Sequence, residues 1–158
     1  MLWTGELRIN TVHVRDVARA LWHLCIKGAP GSVYNLCDKG STDQKKINQI
    51  LGDIFAIDIG YIGTVLSVAA STKLSAVAQT ANDNHMSPWS DMCKEHNIKF
   101  TPLSPYIDKE LLSNNNLSID GSAIEETGFK YEVPEMTEAL IREELDYFVK
   151  LNLFPKLN

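Results

Sequence analysis

Long hydrophobic runs are missing from this 158-residue sequence. No stretch approaches the roughly 18 consecutive apolar residues of a bilayer-crossing helix, so a membrane is not an expected partner. The N-terminal "MLWTGELRIN" has no basic region leading into an apolar one, and no secretory signal is read there. Cysteine is scarce. Cys25, Cys37 and Cys93 lie far apart, which argues against a disulfide framework and for reduced thiols in a cytoplasmic protein. Positive charge is in short supply too, with 15 Lys and Arg against 20 Asp and Glu, a net charge of −5. The only adjacent basic pair is Lys45–Lys46. Without a basic stripe to displace counterions, nucleic acid is not an expected partner either. There is no internal repeat and no low-complexity linker.

What is present reads as a globular chain with hydrophobic periodicity. Ile9, Val12 and Val14, with β-branched Thr11 between them, predict a strand over 9–14. Asp16 is the expected cap of the helix that follows. Val17, Ala20, Leu21, Leu24 and Cys25 form its apolar stripe, and Gly28 and Pro30 end it. "SVYNLC" (32–37) reads as a second buried strand. Thr42 is the expected cap of a second helix, with Ile47, Ile50, Leu51, Ile54 and Phe55 on one face. "AIDIGYIG" reads as a third strand. Strands alternating with helices in this way predict an α/β fold with a parallel sheet.

After Gly63 the pattern turns helical. "TVLSVAASTKLSAVAQTAND" predicts one long helix. Ser87–Pro88 and Ser104–Pro105 look like helix starts, because proline at the first helical position loses no hydrogen bond. Asp120 is placed to cap a short helix closed by Gly128. The last helix is expected over about 137–152, with Ile141, Leu145, Phe148 and Val149 on one face. The expected division is a βαβα region over 1–63 and a mostly helical annex over 64–158.

Three segments carry a family resemblance. "INTVHVRDVARAL", "GSVYNLCDKGSTDQKKINQIL" and "LSIDGSAIEETGFKYEVPEMTEALIREELDYF" together resemble, in order, the C-terminal part of the extended short-chain dehydrogenases/reductases. These are NAD(P)-dependent sugar epimerases and dehydratases. The resemblance implies the end of a Rossmann-like sheet followed by a substrate-side annex, with the N-terminal nucleotide-binding half absent. It implies NAD or NADP for the parent family and a sugar nucleotide or other small molecule as substrate. The family's Gly-x-x-Gly-x-x-Gly turn and Tyr-x-x-x-Lys pair are both missing here, so catalysis and tight cofactor binding by this chain are not expected. The implied function is a substrate-side fragment of such an oxidoreductase or epimerase. The alternative is a non-catalytic binding or self-association module, forming a homo-oligomer or pairing with a full-length relative.

Arg8, His13 and Asn35 are the candidate substrate-binding residues. Arg8 neighbours the position at which the family often places a diphosphate-binding arginine, which is Ile9 here. His13 precedes a helix, where a structural hydrogen bond competes with acid–base work. Asn35 lies toward the end of a predicted strand, where α/β sheets bind ligands. No catalytic, cofactor-binding or metal-binding residue is assigned, although His85, Cys93 and His96 raise a remote metal reading. Trp22 and His23 fall off the apolar stripe of their helix, where a tryptophan can meet another subunit.

Overall fold

The structure is a computed structural model describing residues 1–156. Five α-helices form: α1 (Val14–Lys27), α2 (Gln44–Phe55), α3 (Gly63–Ser71), α4 (Leu74–Glu95) and α5 (Glu138–Lys150). Two short 3-10 helices, Lys109–Leu112 and Ser122–Thr127, lie between α4 and α5. Among the described residues there is no strand. The β contacts are isolated antiparallel bridges, Trp3 with Gly63 and Arg8 with Asp43. The expected parallel sheet is therefore absent, and the fold is mostly helical rather than Rossmann-like.

The reason lies in what strand-like sequence requires. Residues 9–13 and 32–37 do leave the helices, but no ladder forms between them. Thr11 and Asp38, just past the second run, are joined by the Asp38 N–H to the Thr11 carbonyl (2.7 Å) and the Thr11 hydroxyl to the Asp38 carboxylate (2.6 Å). Residues such as Val, Ile and Thr favour strands because they pack well beside a neighbouring strand, and no such neighbour is supplied here.

The chain divides into two compact units. One unit comprises Gly5–Ile59 and Asn115–Glu138. It holds α1, α2 and the 3-10 helix Ser122–Thr127. Its core is Ala20, Ile124 and Phe129, with Leu24, Tyr34, Leu36 and Tyr131 packed around them. Asp16 does not cap α1. His13 does, its Nδ1 accepting from the Arg15 N–H at 3.1 Å. Asp16, one turn further on, is fully buried and accepts from the backbone N–H groups of Glu132 (3.0 Å) and Val133 (2.8 Å) and from Arg19 (2.6 Å). This grip rotates the helix. Asp16 and Ala20 face inward, while Leu21 and Cys25, both on the expected stripe, are exposed.

α2 is capped by Asp43 rather than Thr42, through a 2.8 Å bond from the Lys46 N–H. Thr42 is buried instead, its hydroxyl 3.1 Å from that of Thr11. The α2 stripe lies as its spacing predicts, with Ile54 buried and Ile47, Ile50, Leu51 and Phe55 half-buried. Asn48, off that stripe, is buried too.

The other unit comprises Met1–Thr4, Gly60–Asn114 and the described residues from Ala139 on. The single long helix expected over 64–83 is two, broken at Thr72–Lys73. α4 then runs through Pro88, which starts no new helix. Proline leaves one carbonyl of the preceding turn without its N–H. Residues 83–88 are exposed, so water can reach that carbonyl. Ser104–Pro105 also starts no helix. The later 3-10 turn is capped by Asp108, accepting from the Glu110 N–H at 2.9 Å. Trp3 anchors the N-terminus. Its N–H reaches Ser67 Oγ (2.6 Å), and its indole N–H reaches the Leu112 carbonyl (2.9 Å). Asn82, also buried, binds both the N–H (2.7 Å) and the carbonyl (2.9 Å) of Ile107. Ile141, Leu145, Phe148 and Val149 are half-buried along one side of α5, as their spacing predicts. No helix among the described residues is long and apolar enough to cross a membrane.

Candidate functional site: an unpaired extended edge

The three residues singled out from sequence all lie in the unit containing α1, on different local structures. Arg8 donates from its main-chain N–H to Asn116 Oδ1 (2.8 Å) and from its guanidinium to the Ser41 carbonyl (3.1 Å). Its own carbonyl accepts from the Leu117 N–H at 3.0 Å. It works as a brace between three chain segments. His13 is spent as the cap of α1. Asn35 is exposed on the extended run. Among the described residues no hydrogen bond or ion pair joins any two of the three.

Other pairings that could carry chemistry resolve into structure. His23 Nε2 lies 2.8 Å from Thr127 Oγ1, but that hydroxyl donates to the Ile124 carbonyl at 2.6 Å. Its proton is already committed, so the imidazole is not poised to remove it. Cys37 Sγ donates to the Ile119 carbonyl at 3.1 Å. Burial pushes its pKa up, and nearby Asp38 and Asp120 add to this against the opposing Gly121 N–H. A thiol held protonated is a poor nucleophile. Among the described residues no three His, Cys, Asp or Glu side chains converge as a metal site, so the grouping of His85, Cys93 and His96 is not formed.

What the fold does build is a presented edge. Over Val33–Cys37 the chain alternates: Val33 is 84% exposed and Asn35 is exposed, while Tyr34 and Leu36 pack against Ala20, Ile124 and Phe129. Period-two alternation is strand geometry. The two ends are pinned. The Tyr34 hydroxyl accepts from the Ala29 N–H at 3.1 Å. At the far end the backbone of Gly121 lies so close that a Cβ there would stand 2.7 Å from Cys37 Sγ and 2.9 Å from Cys37 N. Only glycine permits that approach. The Tyr131 hydroxyl donates to the Gly121 carbonyl at 3.5 Å beside it. Burial raises the Tyr131 pKa, with Cys37, Glu125 and Asp16 adding to the effect, so the hydroxyl stays protonated at this post.

Between the pins, the N–H and C=O groups of Val33, Tyr34, Asn35 and Leu36 make no hydrogen bond to any described residue. The neighbouring extended stretch does not share this property. Its Arg8 carbonyl takes the Leu117 N–H, and the Asn10 amide spans the Leu117 carbonyl (3.1 Å) and the Ile119 N–H (2.9 Å). "SVYNLC" reads in the sequence as a buried strand, yet the run is extended with Val33 and Asn35 exposed. Its lack of a partner is not readable there, because pairing depends on distant segments.

Comparison with protein-family models, with curated proteins and with solved structures returns no match. With no sheet among the described residues and no family match, the resemblance to the short-chain dehydrogenases/reductases does not stand. The similar segments encode helix starts and stops that many folds use. The Rossmann, epimerase and oxidoreductase readings that depended on it fall with it.

Proposed function

We propose that this chain is a non-catalytic self-association module that pairs its Val33–Leu36 edge, antiparallel, with the same edge of a second copy. The supporting observation is the pinned, extended run whose main-chain donors and acceptors are unpartnered. An added strand supplies those hydrogen bonds, and alternate side chains set the register. Three features favour a second copy as the occupant. Residues 31–37, Gly-Ser-Val-Tyr-Asn-Leu-Cys, carry no charge, so identical edges meet without repulsion in a chain of net charge −5. The run has neither the lysine nor the proline with which monomeric proteins guard an edge. An antiparallel pair of identical segments closes on itself about a two-fold axis. The same unit also exposes Leu21, Trp22 and Ile26, apolar surface that a dimer can cover.

Sedimentation equilibrium tests the proposal. The chain is expected to dimerise, and Val33→Lys, which sets like charges across the two-fold axis, is expected to weaken the dimer at least about tenfold. Asn35→Pro removes an edge N–H without touching the packed Tyr34 and Leu36, and it is expected to do the same. Unchanged helical circular dichroism confirms that each variant folds. Titration with NADH or NADPH is expected to show no saturable binding. A chain that stays monomeric at about 1 mM overturns the proposal. So does a dimer indifferent to both edge substitutions but broken by Trp22→Asp.

A further inference from the structure

The unit containing α4 holds a second feature, independent of the edge. The C-terminal half of α4, the segment Ile98–Ser104 and Leu153 line an open surface groove of about 580 Å³. That is within the roughly 300–1,000 Å³ of sites that take small ligands. Its shape is held by hydrogen bonds of the main chain and of one side-chain hydroxyl. The Ile98 N–H donates to the Cys93 carbonyl (2.8 Å), turning the chain back along the helix. Thr101 then ties that returning segment down, its hydroxyl donating to the Leu153 carbonyl (2.7 Å) and accepting from the Leu103 N–H (3.1 Å). Trp89 is steadied from behind by Phe154, ring centroids 5.8 Å apart.

The lining is one-sided in chemistry. Trp89, Ile98, Leu103 and Leu153 give it apolar walls, and Phe100 stands at the lip, 86% exposed. Lys94 and Lys99 also line it, both exposed. Although the chain has 20 Asp and Glu, none lines this groove. Lys94 bonds Asp91 at 3.0 Å on the helix surface, and no ion pair or hydrogen bond engages the Lys99 amine among the described residues. An apolar trough with two exposed lysines at its rim, one of them unpaired, complements a molecule with one apolar chain and one negative charge. We infer that this groove binds a free single-chain amphiphile with an anionic head, of the long-chain carboxylate class. The chain lies over Trp89, Leu103 and Leu153, and the carboxylate meets Lys99 and Lys94.

Isothermal titration with dodecanoate, below its micellar concentration, tests the inference. Saturable one-to-one binding is expected. Decanoate is expected to bind roughly tenfold more weakly, through two lost methylenes. Dodecyltrimethylammonium is expected not to bind. Lys99→Glu is expected to cost about fivefold in affinity, since the charge pair lies at an exposed rim. Leu103→Asp is expected to abolish binding. Should that variant fail to fold, Phe100→Asp at the exposed lip is expected to weaken binding while leaving the fold intact. Absence of saturable dodecanoate binding overturns the inference, as does equal affinity for the cationic analogue. Binding to phosphatidylglycerol vesicles but not to free dodecanoate also overturns it, pointing instead to a membrane surface. None of these outcomes bears on dimerisation through the Val33 edge.

Discussion

The two units tie their loops down with the same device but different chemistry. In each, a buried polar side chain on a helix grips the backbone of a segment far away in sequence. In the unit around α1 the grip is a carboxylate, Asp16 on Glu132 and Val133. In the unit around α4 it is a neutral amide, Asn82 on Ile107. Burial alone pushes the Asp16 pKa up. The two N–H groups, with the Arg19 hydrogen bond and charge, outweigh that and hold the pKa below its ordinary value. A hydrogen bond to an ionised group is stronger than one between neutral groups, and it responds to pH. The comparison teaches that the two units should differ in their response to acid.

The largest effect expected from breaking the comparison is that of Asp16→Ala. It leaves two backbone N–H groups and part of Arg19 without an acceptor. We expect a loss of about 3–5 kcal/mol in the unit around α1. Native-state hydrogen exchange should show lost protection in α1 and the 3-10 helix Ser122–Thr127, with α4 protected as before. Equal loss in α4 would sink the idea that the carboxylate grip is local.

The pH dependence follows with a definite sign. The folded-state pKa of Asp16 lies below the unfolded value of about 4, so the unfolded chain takes up the proton first. The stabilisation is complete above that value and is lost as pH falls through the folded pKa. The unit around α1 should therefore loosen in acid below about pH 4. Asp16→Asn should remove Asp16's part of that acid loss, at reduced stability throughout.

Asn82→Ala sharpens the other side of the comparison. It deletes two hydrogen bonds at a buried site, and about 2 kcal/mol should be lost around α4. That loss should be the same at pH 4 and at pH 7. A pH-dependent loss would show that a neighbouring charge, not the amide, governs the contact. His13→Ala is the smallest expected change. It removes the α1 cap alone and should cost about 0.5–1 kcal/mol, read from the denaturant midpoint of α1.

Particular residues show how far sequence reading reaches. The α2 stripe of Ile47, Ile50, Leu51, Ile54 and Phe55 was legible, and so was the face of α5, because helical hydrogen bonds are local and the apolar period follows from them. The end of α1 near Gly28 and the turn at Gly128 were legible for the same reason. Cap identity was not. Asp16 and Thr42 have the chemistry of caps, but His13 and Asp43 take those places. Asp16 is instead occupied more than a hundred residues away along the chain. Of the candidate site, the extended character of 32–37 was legible but its expected burial was not met, and the roles of Arg8 and His13 were not legible, since each is fixed by what lies beside it. The groove beside α4 gave no sequence signal, because its walls come from three separated segments.

The sequence by itself determined where α1, α2 and α5 lie, though not the break between α3 and α4, because an α-helix satisfies its backbone within one contiguous segment. The tertiary structure decided which face of α1 turns inward, which side chains became caps or grips, and whether extended segments found partners. Those outcomes depend on groups brought together from distant positions, and an extended segment completes its hydrogen bonds only through a neighbour. For Val33–Leu36 no neighbour is present within the described chain, and the strand-like pattern written there is left facing outward.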